Sequence, residues 1–261
     1  MTGRFSLSPV LKSSFKYRMH LFSSSYRESF APFIDQSCID NSDKYLTDWT
    51  QQYRGGSLIL KPKTKEDISY IFEICYRDRI NVVTQGGNTG LVGGGVGINN
   101  EVILSLEKMN KIIDIDIVSG VAIVEAGCIL ETLSQEVAKY GYIVPWDLGA
   151  KGSCQIGGNV ATNAGGLRMI KYGSMHQNIL GLEVIKSDGI VLNMLRTLQK
   201  DNTGYHLKNI FIGSEGTLGV ITKVAIKLQP MPTSTQVALL KVCITLMFTN
   251  AHIVYSMWLY T

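Results

Sequence analysis

The residues best suited to chemistry in this sequence form a glycine-rich loop, positions 86–97, in which seven of twelve residues are glycine. The loop follows a short β-branched run at positions 81–85, and this order predicts a strand that leads into a turn. Such a turn can direct several backbone N–H groups into one concavity, which is a binding site for a diphosphate. Glycine is required because a Cβ would hold phosphate oxygens off the backbone and because some torsions have a positive φ. We therefore predict a phosphate-binding loop, with a flexible turn as the alternative for this stretch taken alone.

Two well-known phosphate motifs are absent from this loop. It contains no G-x-x-x-x-G-K-[ST], so it lacks the lysine and the hydroxyl of a P-loop nucleotide hydrolase. It contains no G-x-G-x-x-G either, so a Rossmann dinucleotide site would lack its register. The loop therefore predicts a phosphate site of another kind.

A second glycine-rich loop, positions 147–166, combines small residues with amides and hydroxyls. An extended aromatic ring system with carbonyl and N–H edges needs this mixture, because it requires flat access together with hydrogen bonds from Ser, Thr and Asn side chains. A phosphate group alone would not need this mixture of residues. The residues concerned are Gly152, Ser153, Gly157, Gly158, Asn159, Thr162, Asn163, Gly165 and Gly166.

Regular elements are predicted around both loops. A capping threonine, Thr64, precedes early acidic residues and an apolar face, which indicates a helix. A second helix is predicted from residue 129 until Gly141 stops it. The residues on the two apolar faces are Ile68, Ile71, Phe72 and Cys75 in the first helix, and Ile129, Leu130, Leu133 and Val137 in the second.

Strands are predicted on both sides of these helices. Besides residues 81–85, the predicted strands are residues 102–106, 121–125, 179–186 and 190–194, the last two joined by a turn at Ser-Asp-Gly. A closing strand, residues 218–228, alternates apolar and polar residues and is predicted to be half-buried. Strands and helices are mixed without strict alternation, so the predicted fold class is α+β.

Composition indicates a globular protein and argues against a nucleic-acid binder. The chain has 261 residues, 45% of them hydrophobic, which is enough for a real core. Five of its 25 basic residues and one of its 21 acidic residues lie in positions 1–33, which leaves 20 of each sign in the remainder. A nucleic-acid binder would keep a basic face in its folded part, so we expect no nucleic-acid partner.

The two ends of the chain differ from the rest. Residues 1–33 are rich in arginine and serine and poor in acid, as in a mitochondrial presequence, with a disordered tail as the alternative. Five scattered cysteines without a C-x-x-C pair suit a reducing compartment. After Lys241 the chain carries no formal charge, but polar residues interrupt the apolar run, so we expect no membrane anchor.

Several ordered motifs together carry a family resemblance. They are TQGGNTGLVGG, PWDLGAKGSCQIGGNVATNAGGLRMIKYGS, KDNTGY, IGSEGTLGVIT and the closing strand. From about residue 45 to residue 240 the sequence resembles the FAD-binding domains of the vanillyl-alcohol-oxidase and p-cresol-methylhydroxylase (PCMH) type. The resemblance implies a two-lobed domain of mixed sheets with flanking helices. It implies a presequence at 1–33, an N-terminal extension at 34–53, an FAD-binding domain at 54–232 and an apolar tail outside the family at 233–261.

The resemblance also implies which residues bind the cofactor FAD. The first loop would hold the pyrophosphate, the second would line the flavin and ribityl side, and the start of the closing strand would complete the pocket. These residues are, in the same order, Gly86, Gly87, Asn88, Thr89, Gly90 and Leu91; Pro145, Gly152, Ser153, Gly158, Thr162, Asn163 and Gly166; and Gly219, Val220 and Ile221. Cys154 invites a covalent-flavin hypothesis, but a small residue packed in a tight loop is the simpler interpretation.

By the same resemblance, a substrate domain beyond the closing strand supplies cationic groups for the carboxylates and a site for a divalent metal, with zinc expected. The chain ends before such a domain. Its histidines, His20, His176, His206 and His252, show no ligand spacing. Arg168 and Lys171 could face the flavin or an acidic substrate, but a solvated pair is the preferred interpretation. We therefore predict no catalytic and no metal-binding residue in this chain.

The implied activity is that of an FAD-dependent 2-hydroxy-acid dehydrogenase acting on a CH–OH group. In the mitochondrial matrix it would oxidise D-2-hydroxyglutarate to 2-oxoglutarate and pass electrons to a further acceptor. The small hydroxy-acid substrate would bind only if the missing domain were supplied. Two alternatives remain at this point: a catalytically inactive truncated FAD-binding fragment, and a relative of the FAD-linked D-lactate dehydrogenases.

Overall fold

The computed structural model describes residue 30 and residues 43–56, 58–99 and 101–234. The predicted presequence lies outside the described residues except for Phe30, which is fully buried in the main hydrophobic core. A boundary at residue 33 would place this core residue in the removed segment. The apolar tail lies outside the described residues from position 235 onwards. Within the described part, no helix is long and apolar enough to cross a membrane.

A parallel sheet of three strands forms the first half of the fold, in the order β1-β3-β2. The strands are β1 (Leu58–Leu60), β2 (Val82–Gln85) and β3 (Val102–Ser105). All residues of the central strand β3 are buried. The strands predicted at residues 81–85 and 102–106 are β2 and β3, and their predicted bounds are correct to within one residue at each end. The first glycine loop begins at the carboxyl end of β2.

The helix predicted after Thr64 is α2 (Lys65–Arg77), which follows the short α1 (Asp43–Leu46). Thr64 caps α2 because its hydroxyl accepts from the Asp67 N–H at 3.1 Å, while the Asp67 carboxylate accepts from the Thr64 N–H at 3.0 Å. Its buried face carries the predicted residues Ile68, Ile71, Phe72 and Cys75. A local sequence pattern thus gave this helix its correct start and its correct face.

An antiparallel sheet of five strands forms the second half, in the order β4-β5-β9-β7-β8. Its strands are β4 (Ile112–Asp116), β5 (Val121–Glu125), β7 (Ile179–Ile185), β8 (Val191–Met194) and β9 (Val220–Lys227). The predicted hairpin is confirmed, since β7 pairs with β8 with Glu183 opposite Asn193. Two further short strands, β6 (Tyr142–Ile143) and β10 (Gln229–Pro230), form a separate antiparallel pair.

The closing strand β9 is buried more completely than its alternating sequence predicts. Only Lys223 and Lys227 of its residues are partly exposed. Residues on both of its faces are packed, since Val224 belongs to the main hydrophobic core and Ala225 to a smaller cluster with Val121 and Leu180. The prediction of a half-buried strand is therefore wrong. Leu218, which was predicted to lie in this strand, precedes it and is 47% exposed.

Helices complete the fold. The helix predicted from residue 129 is α3 (Leu130–Ala138), with Leu130, Leu133 and Val137 buried. The second glycine-rich stretch is not a simple loop, because it contains α4 (Ile156–Ala161). The remaining short helices are α5 (Met169–Tyr172), α6 (Met175–Asn178) and α7 (Lys208–Phe211). Two dissimilar sheets with flanking helices confirm the predicted α+β class.

Candidate functional site

The two glycine-rich stretches meet around one cavity of about 380 Å³. We call it the central cavity. Three chain segments, together with Leu106, supply its walls: residues 84–95 at the end of β2 and beyond it, residues 148–164 around α4, and residues 215–221 before and at the start of β9. Stretches far apart in the sequence are thus brought together between the parallel and the antiparallel sheet.

The first loop is held in place by two side-chain amides that flank its glycines. Asn88, whose φ of 52° lies in the left-handed region, donates from Nδ2 to the Thr47 carbonyl at 2.7 Å. Gln85 donates from Nε2 to the Tyr45 carbonyl at 2.9 Å and to the Gly95 carbonyl at 2.7 Å. The carbonyls of the N-terminal segment therefore fix the loop from outside the central cavity.

The backbone of this loop is correspondingly free to bind a ligand. Within the described chain, none of the N–H groups of residues 86–92 donates to a backbone carbonyl. Each hydrogen bond from such an N–H to a charged oxygen contributes roughly 1.5–3 kcal/mol. A fixed loop with several free donors is therefore a suitable site for a diphosphate.

The glycines around the cavity fall into two groups. A Cβ at Gly87 would lie 2.0 Å from the Ser153 carbonyl oxygen, and one at Gly157 would lie 2.5 Å from the Ala126 Cβ. These positions are glycine because another part of the chain packs against them. At Gly90 and Gly158, in contrast, an added Cβ would meet no atom within 4 Å. These two leave bare backbone facing open space, which a ligand can approach closely.

A third loop closes the cavity before β9, and its backbone is tightly turned. Gly213, Glu215, Gly216 and Gly219 have φ values of 80°, 51°, 80° and 153°. The Glu215 N–H donates to the Ala161 carbonyl at 2.8 Å, which ties this loop to the end of α4. Glu215 also lines the cavity. The loop therefore presents a carboxylate from a backbone conformation that only a few non-glycine residues adopt.

The predicted binding residues are only partly gathered in the central cavity. Those that line it are Gly86, Gly87, Asn88, Thr89, Gly90, Gly158, Thr162, Gly219, Val220 and Ile221. Those that do not are Leu91, Pro145, Gly152, Ser153, Asn163 and Gly166. Leu91 is 68% exposed, and Gly166 is a packing glycine, since its Cβ would lie 2.2 Å from the Asp147 carbonyl oxygen.

Gly152 and Ser153 instead line a neighbouring groove of about 1530 Å³. This groove lies at the carboxyl ends of the parallel strands, on the other side of the first loop. The residues that border both spaces are Gln85, Gly86, Gly87, Asn88 and Gln155. Lys44, Lys111 and Asp48 are among its charged lining residues. The first loop is therefore the wall between the groove and the central cavity.

The structure adds cavity residues that the sequence reasoning did not assign. Thr84, Gln85, Gln155 and Glu215 are polar residues of this kind, and each lies within a motif that carried the family resemblance. Asn159 was noted in the second glycine-rich loop but not assigned as a cofactor-binding residue. A carboxylate within a short glycine-rich segment, Gly213 to Gly216, was the available signal for Glu215. No signal in the sequence marked Gln155, whose role depends on what it faces after folding.

Cys154 also lines the cavity. Burial raises the pKa of its thiol, while the neighbouring Asn159 amide opposes this shift. The thiol is therefore neutral at physiological pH, which favours the packing interpretation over a nucleophilic one. In the part of the chain that the structure describes, no group of three or more His, Cys, Asp or Glu residues could hold a metal ion.

Arg168 and Lys171, the cations beyond the second stretch, do not lie in the cavity wall. Arg168 donates from Nη1 to the Val144 carbonyl at 2.8 Å, so it is bound to the backbone and not merely solvated. Lys171 Nζ lies 5.3 Å from the centre of the Tyr172 ring. His176 and His206 likewise lie outside the cavity wall.

These features define a cofactor-binding domain, and comparison with known proteins gives its family. Residues 57–195 match the family described as FAD binding domain, and the chain belongs to this family. The fold is that of alkyldihydroxyacetonephosphate synthase, with a TM-score of 0.70 over 81% of this chain and 41% of that one, at 20% sequence identity. The cofactor of the domain is therefore FAD.

Two curated relatives are more similar in sequence. The chain is 58% identical over 193 residues to the mitochondrial D-2-hydroxyglutarate dehydrogenase of Arabidopsis thaliana, which covers 74% of this chain and 34% of the relative. It is 50% identical over 214 residues to a Schizosaccharomyces pombe protein named as a mitochondrial D-lactate dehydrogenase, which covers 78% of this chain and 41% of that protein. The chain thus spans between a third and two fifths of the length of these relatives.

The residues present fit FAD. The free N–H groups of the first loop suit its diphosphate, and the bare backbone at Gly90 and Gly158 leaves room for a ligand. Two buried polar atoms without a partner, Gln155 Oε1 and Asn159 Nδ2, belong to residues of the cavity wall. A cavity with unused donors and acceptors suits a ligand that carries polar edges.

Proposed function

We propose that this chain is the FAD-binding part of a flavin-dependent dehydrogenase that oxidises D-2-hydroxyglutarate to 2-oxoglutarate. The observation that carries the proposal is the 58% identity to the Arabidopsis thaliana dehydrogenase over 74% of the chain. This degree of similarity, together with a cavity whose residues fit FAD, supports the same cofactor chemistry. The proposed family domain extends from residue 54 to residue 232, with the apolar tail of 233–261 outside it.

The proposed cofactor residues fall into three groups. The backbone of residues 86–91 would bind the pyrophosphate, and Gly219, Val220 and Ile221 would close the pocket from β9. Of the flavin and ribityl group, Gly158 and Thr162 line the central cavity. The other members of that group are Pro145, Gly152, Ser153, Asn163 and Gly166, which would act from behind the wall or through the adjoining groove.

When bound, FAD supplies the acceptor for the hydride that leaves C2 of the hydroxy acid. The chain's own residues contribute binding and orientation. The fixed loop holds the diphosphate without having to be ordered first, because Gln85 and Asn88 already anchor it. The neutral thiol of Cys154 leaves the cavity without a nucleophile at this position. No described residue is proposed as the base for the hydroxyl proton.

The substrate and partners of the whole enzyme belong to the same proposal. The longer relatives suggest a further domain, which would supply the cationic groups for the substrate carboxylates and the ligands of a divalent metal, expected to be zinc. A separate electron acceptor would reoxidise the cofactor. Since both relatives are named mitochondrial, we propose a mitochondrial protein, with the matrix as its compartment.

The experiment starts from the purified 261-residue chain. We expect a yellow protein with a flavin absorption spectrum, because the segments that line the central cavity all lie in the described part. We expect that neither D-2-hydroxyglutarate nor D-lactate bleaches it under anaerobic conditions, because no described residue is proposed to bind the substrate carboxylates or to accept the hydroxyl proton. A colourless but folded protein would refute the flavin assignment. Bleaching of this chain alone by a hydroxy acid would refute the proposal that a further domain is needed to bind the substrate.

The substrate is then tested by complementation. Adding the C-terminal two thirds of the Arabidopsis thaliana relative should restore bleaching by D-2-hydroxyglutarate. Bleaching by D-lactate alone would instead support the second candidate, a D-lactate dehydrogenase, which the Schizosaccharomyces pombe similarity favours. No bleaching in the presence of a folded partner would identify the chain as an FAD-binding fragment without activity.

A further inference from the structure

We infer that Gln155 and Asn159 are binding residues that recognise the flavin ring of the cofactor through its donor and acceptor edge. The inference rests on the proposed FAD site and adds two residues to it. The two side chains stand one helical turn apart: Gln155 precedes the first residue of α4, and Asn159 lies within α4. Both line the central cavity.

Unmet hydrogen-bonding capacity is the first argument. The described chain contains four buried side-chain polar atoms without a partner, and two of them are Gln155 Oε1 and Asn159 Nδ2. Gln155 is only 7% exposed and Asn159 only 5%, so water does not readily satisfy them. Buried polar groups of folded proteins are nearly always paired, so such atoms call for a partner. A ligand in the cavity provides one.

Position is the second argument. A Cβ built on Gly86 would lie 3.5 Å from Gln155 Oε1, which places this amide against the first loop. Asn159 follows Gly158, where an added Cβ would face open space. Its other near neighbour is the Cys154 thiol, which is only a weak hydrogen-bond acceptor. The two amides therefore occupy the wall where the two glycine-rich stretches approach each other.

Chemical complementarity is the third argument. A primary amide carries both a donor and an acceptor, so this pair matches a ligand edge that offers both kinds of group. The flavin ring has such an edge, with a ring N–H between two carbonyls. A diphosphate has acceptors only and needs cationic groups or N–H donors, which the first loop already supplies. The amide pair therefore fits the flavin ring better than the phosphates.

The test uses the full chain with Gln155→Met and Asn159→Leu, which remove the polar atoms and roughly keep the shape. FMN carries the flavin ring without the adenosine, and ADP carries the diphosphate without the flavin. We expect each variant to bind FMN and FAD about tenfold more weakly, the loss of about one hydrogen bond, and to bind ADP as the wild type does. A matched loss of ADP affinity would overturn the assignment to the flavin ring.

Stability without ligand separates binding from a structural role. Asn178→Leu is the matched control, because Asn178 is also a buried amide but donates to the carbonyls of Tyr172, Gly173 and Ser174. We expect Asn178→Leu to lower the melting temperature of the ligand-free chain, whereas Gln155→Met and Asn159→Leu leave it unchanged or raise it. A fall as large as that of the control would overturn the inference.

The inference and the proposed function fail in different ways. If the wild-type chain folds but binds no flavin, the FAD site itself is refuted. If the wild type binds FMN and both variants bind it equally well, only the role of the two amides is refuted. A smaller variant, Asn159→Ala, replaces Asn159→Leu if the branched side chain prevents folding, and the same loss of FMN affinity is expected.

Discussion

The side-chain amide of Asn88 donates a hydrogen bond of 2.7 Å to the carbonyl oxygen of Thr47. This bond joins the first glycine loop to a segment that lies before the residues matched by the family. The same amide approaches the Lys44 carbonyl at 3.3 Å. The N-terminal segment therefore supports the first loop through its backbone carbonyls, although its residues do not line the central cavity.

Substitution of Asn88 should weaken FAD binding by two separable effects. Asn88→Ala loses both hydrogen bonds and also places an alanine at a φ of 52°, whereas Asn88→Gly loses the bonds but tolerates the torsion. We expect FAD affinity to fall by about tenfold in Asn88→Gly and further in Asn88→Ala, as measured by titration of flavin fluorescence. Equal affinities in both variants would show that the torsion has no influence.

Two adjacent glycines in α4 should respond in opposite ways. Gly157→Ala places a Cβ 2.5 Å from the Ala126 Cβ, so it should destabilise the chain by about 1–3 kcal/mol. Gly158→Ala meets no atom within 4 Å, so the ligand-free chain should be as stable as the wild type or more so, while FAD binds more weakly. Thermal unfolding and FAD titration of both variants measure this. A stable Gly157→Ala variant would contradict the predicted packing.

Glu183 should be important for stability but not for FAD binding. It is 2% exposed, accepts from Thr222 Oγ1 at 2.9 Å and lies 3.2 Å from Lys223 Nζ. Glu183→Ala should cost about 1–3 kcal/mol, because Lys223 loses its carboxylate and the Thr222 hydroxyl keeps only its bond of 3.2 Å to the backbone carbonyl of residue 183. Lys65→Ala, which removes a more exposed partner, should cost under about 1 kcal/mol in urea unfolding. A similar cost for both variants would argue against a buried network.

Acid should weaken the attachment of the N-terminal segment through Glu107. Burial tends to raise the pKa of Glu107, but the hydrogen bond from Tyr45 at 2.6 Å and the ion pair with Lys61 at 2.9 Å outweigh it and lower that pKa. A lowered pKa means that the stabilisation is complete above the ordinary pKa of glutamate, about 4.5, and is lost as the pH falls through the lowered value. We expect Glu107→Gln to be less stable than the wild type at pH 7 and to lose less stability between pH 5 and pH 3. Parallel pH curves of the urea midpoint would contradict this.

Local patterns made much of the fold predictable. The capping pair of Thr64 and Asp67 and the apolar spacing after it determine α2 within a few residues of sequence. The glycine loop after β2 was identified in the same way, since strand and loop are neighbours in the chain. These features depend on short-range geometry, which the order of residues expresses directly.

Long-range contacts account for the rest. Both faces of β9 are buried because residues distant in the sequence pack beside it, such as Val121 and Leu180 beside Ala225, and no window of sequence reveals these contacts. The support of Asn88 by Thr47 joins residues 41 positions apart. The missed amide Gln155 became recognisable only when folding left its Oε1 buried and unpaired beside the first loop.

The attachments of α4 give the cofactor a second role. The Gly157 N–H of this helix donates to the carbonyl of Ala126, the residue directly after β5. The Gly213 N–H, in the loop before β9, donates to the Val160 carbonyl of the helix. A ligand that binds only the folded form raises its population in proportion to concentration over dissociation constant. Bound FAD would therefore stabilise the folded chain, and with it these two attachments, besides supplying its chemistry.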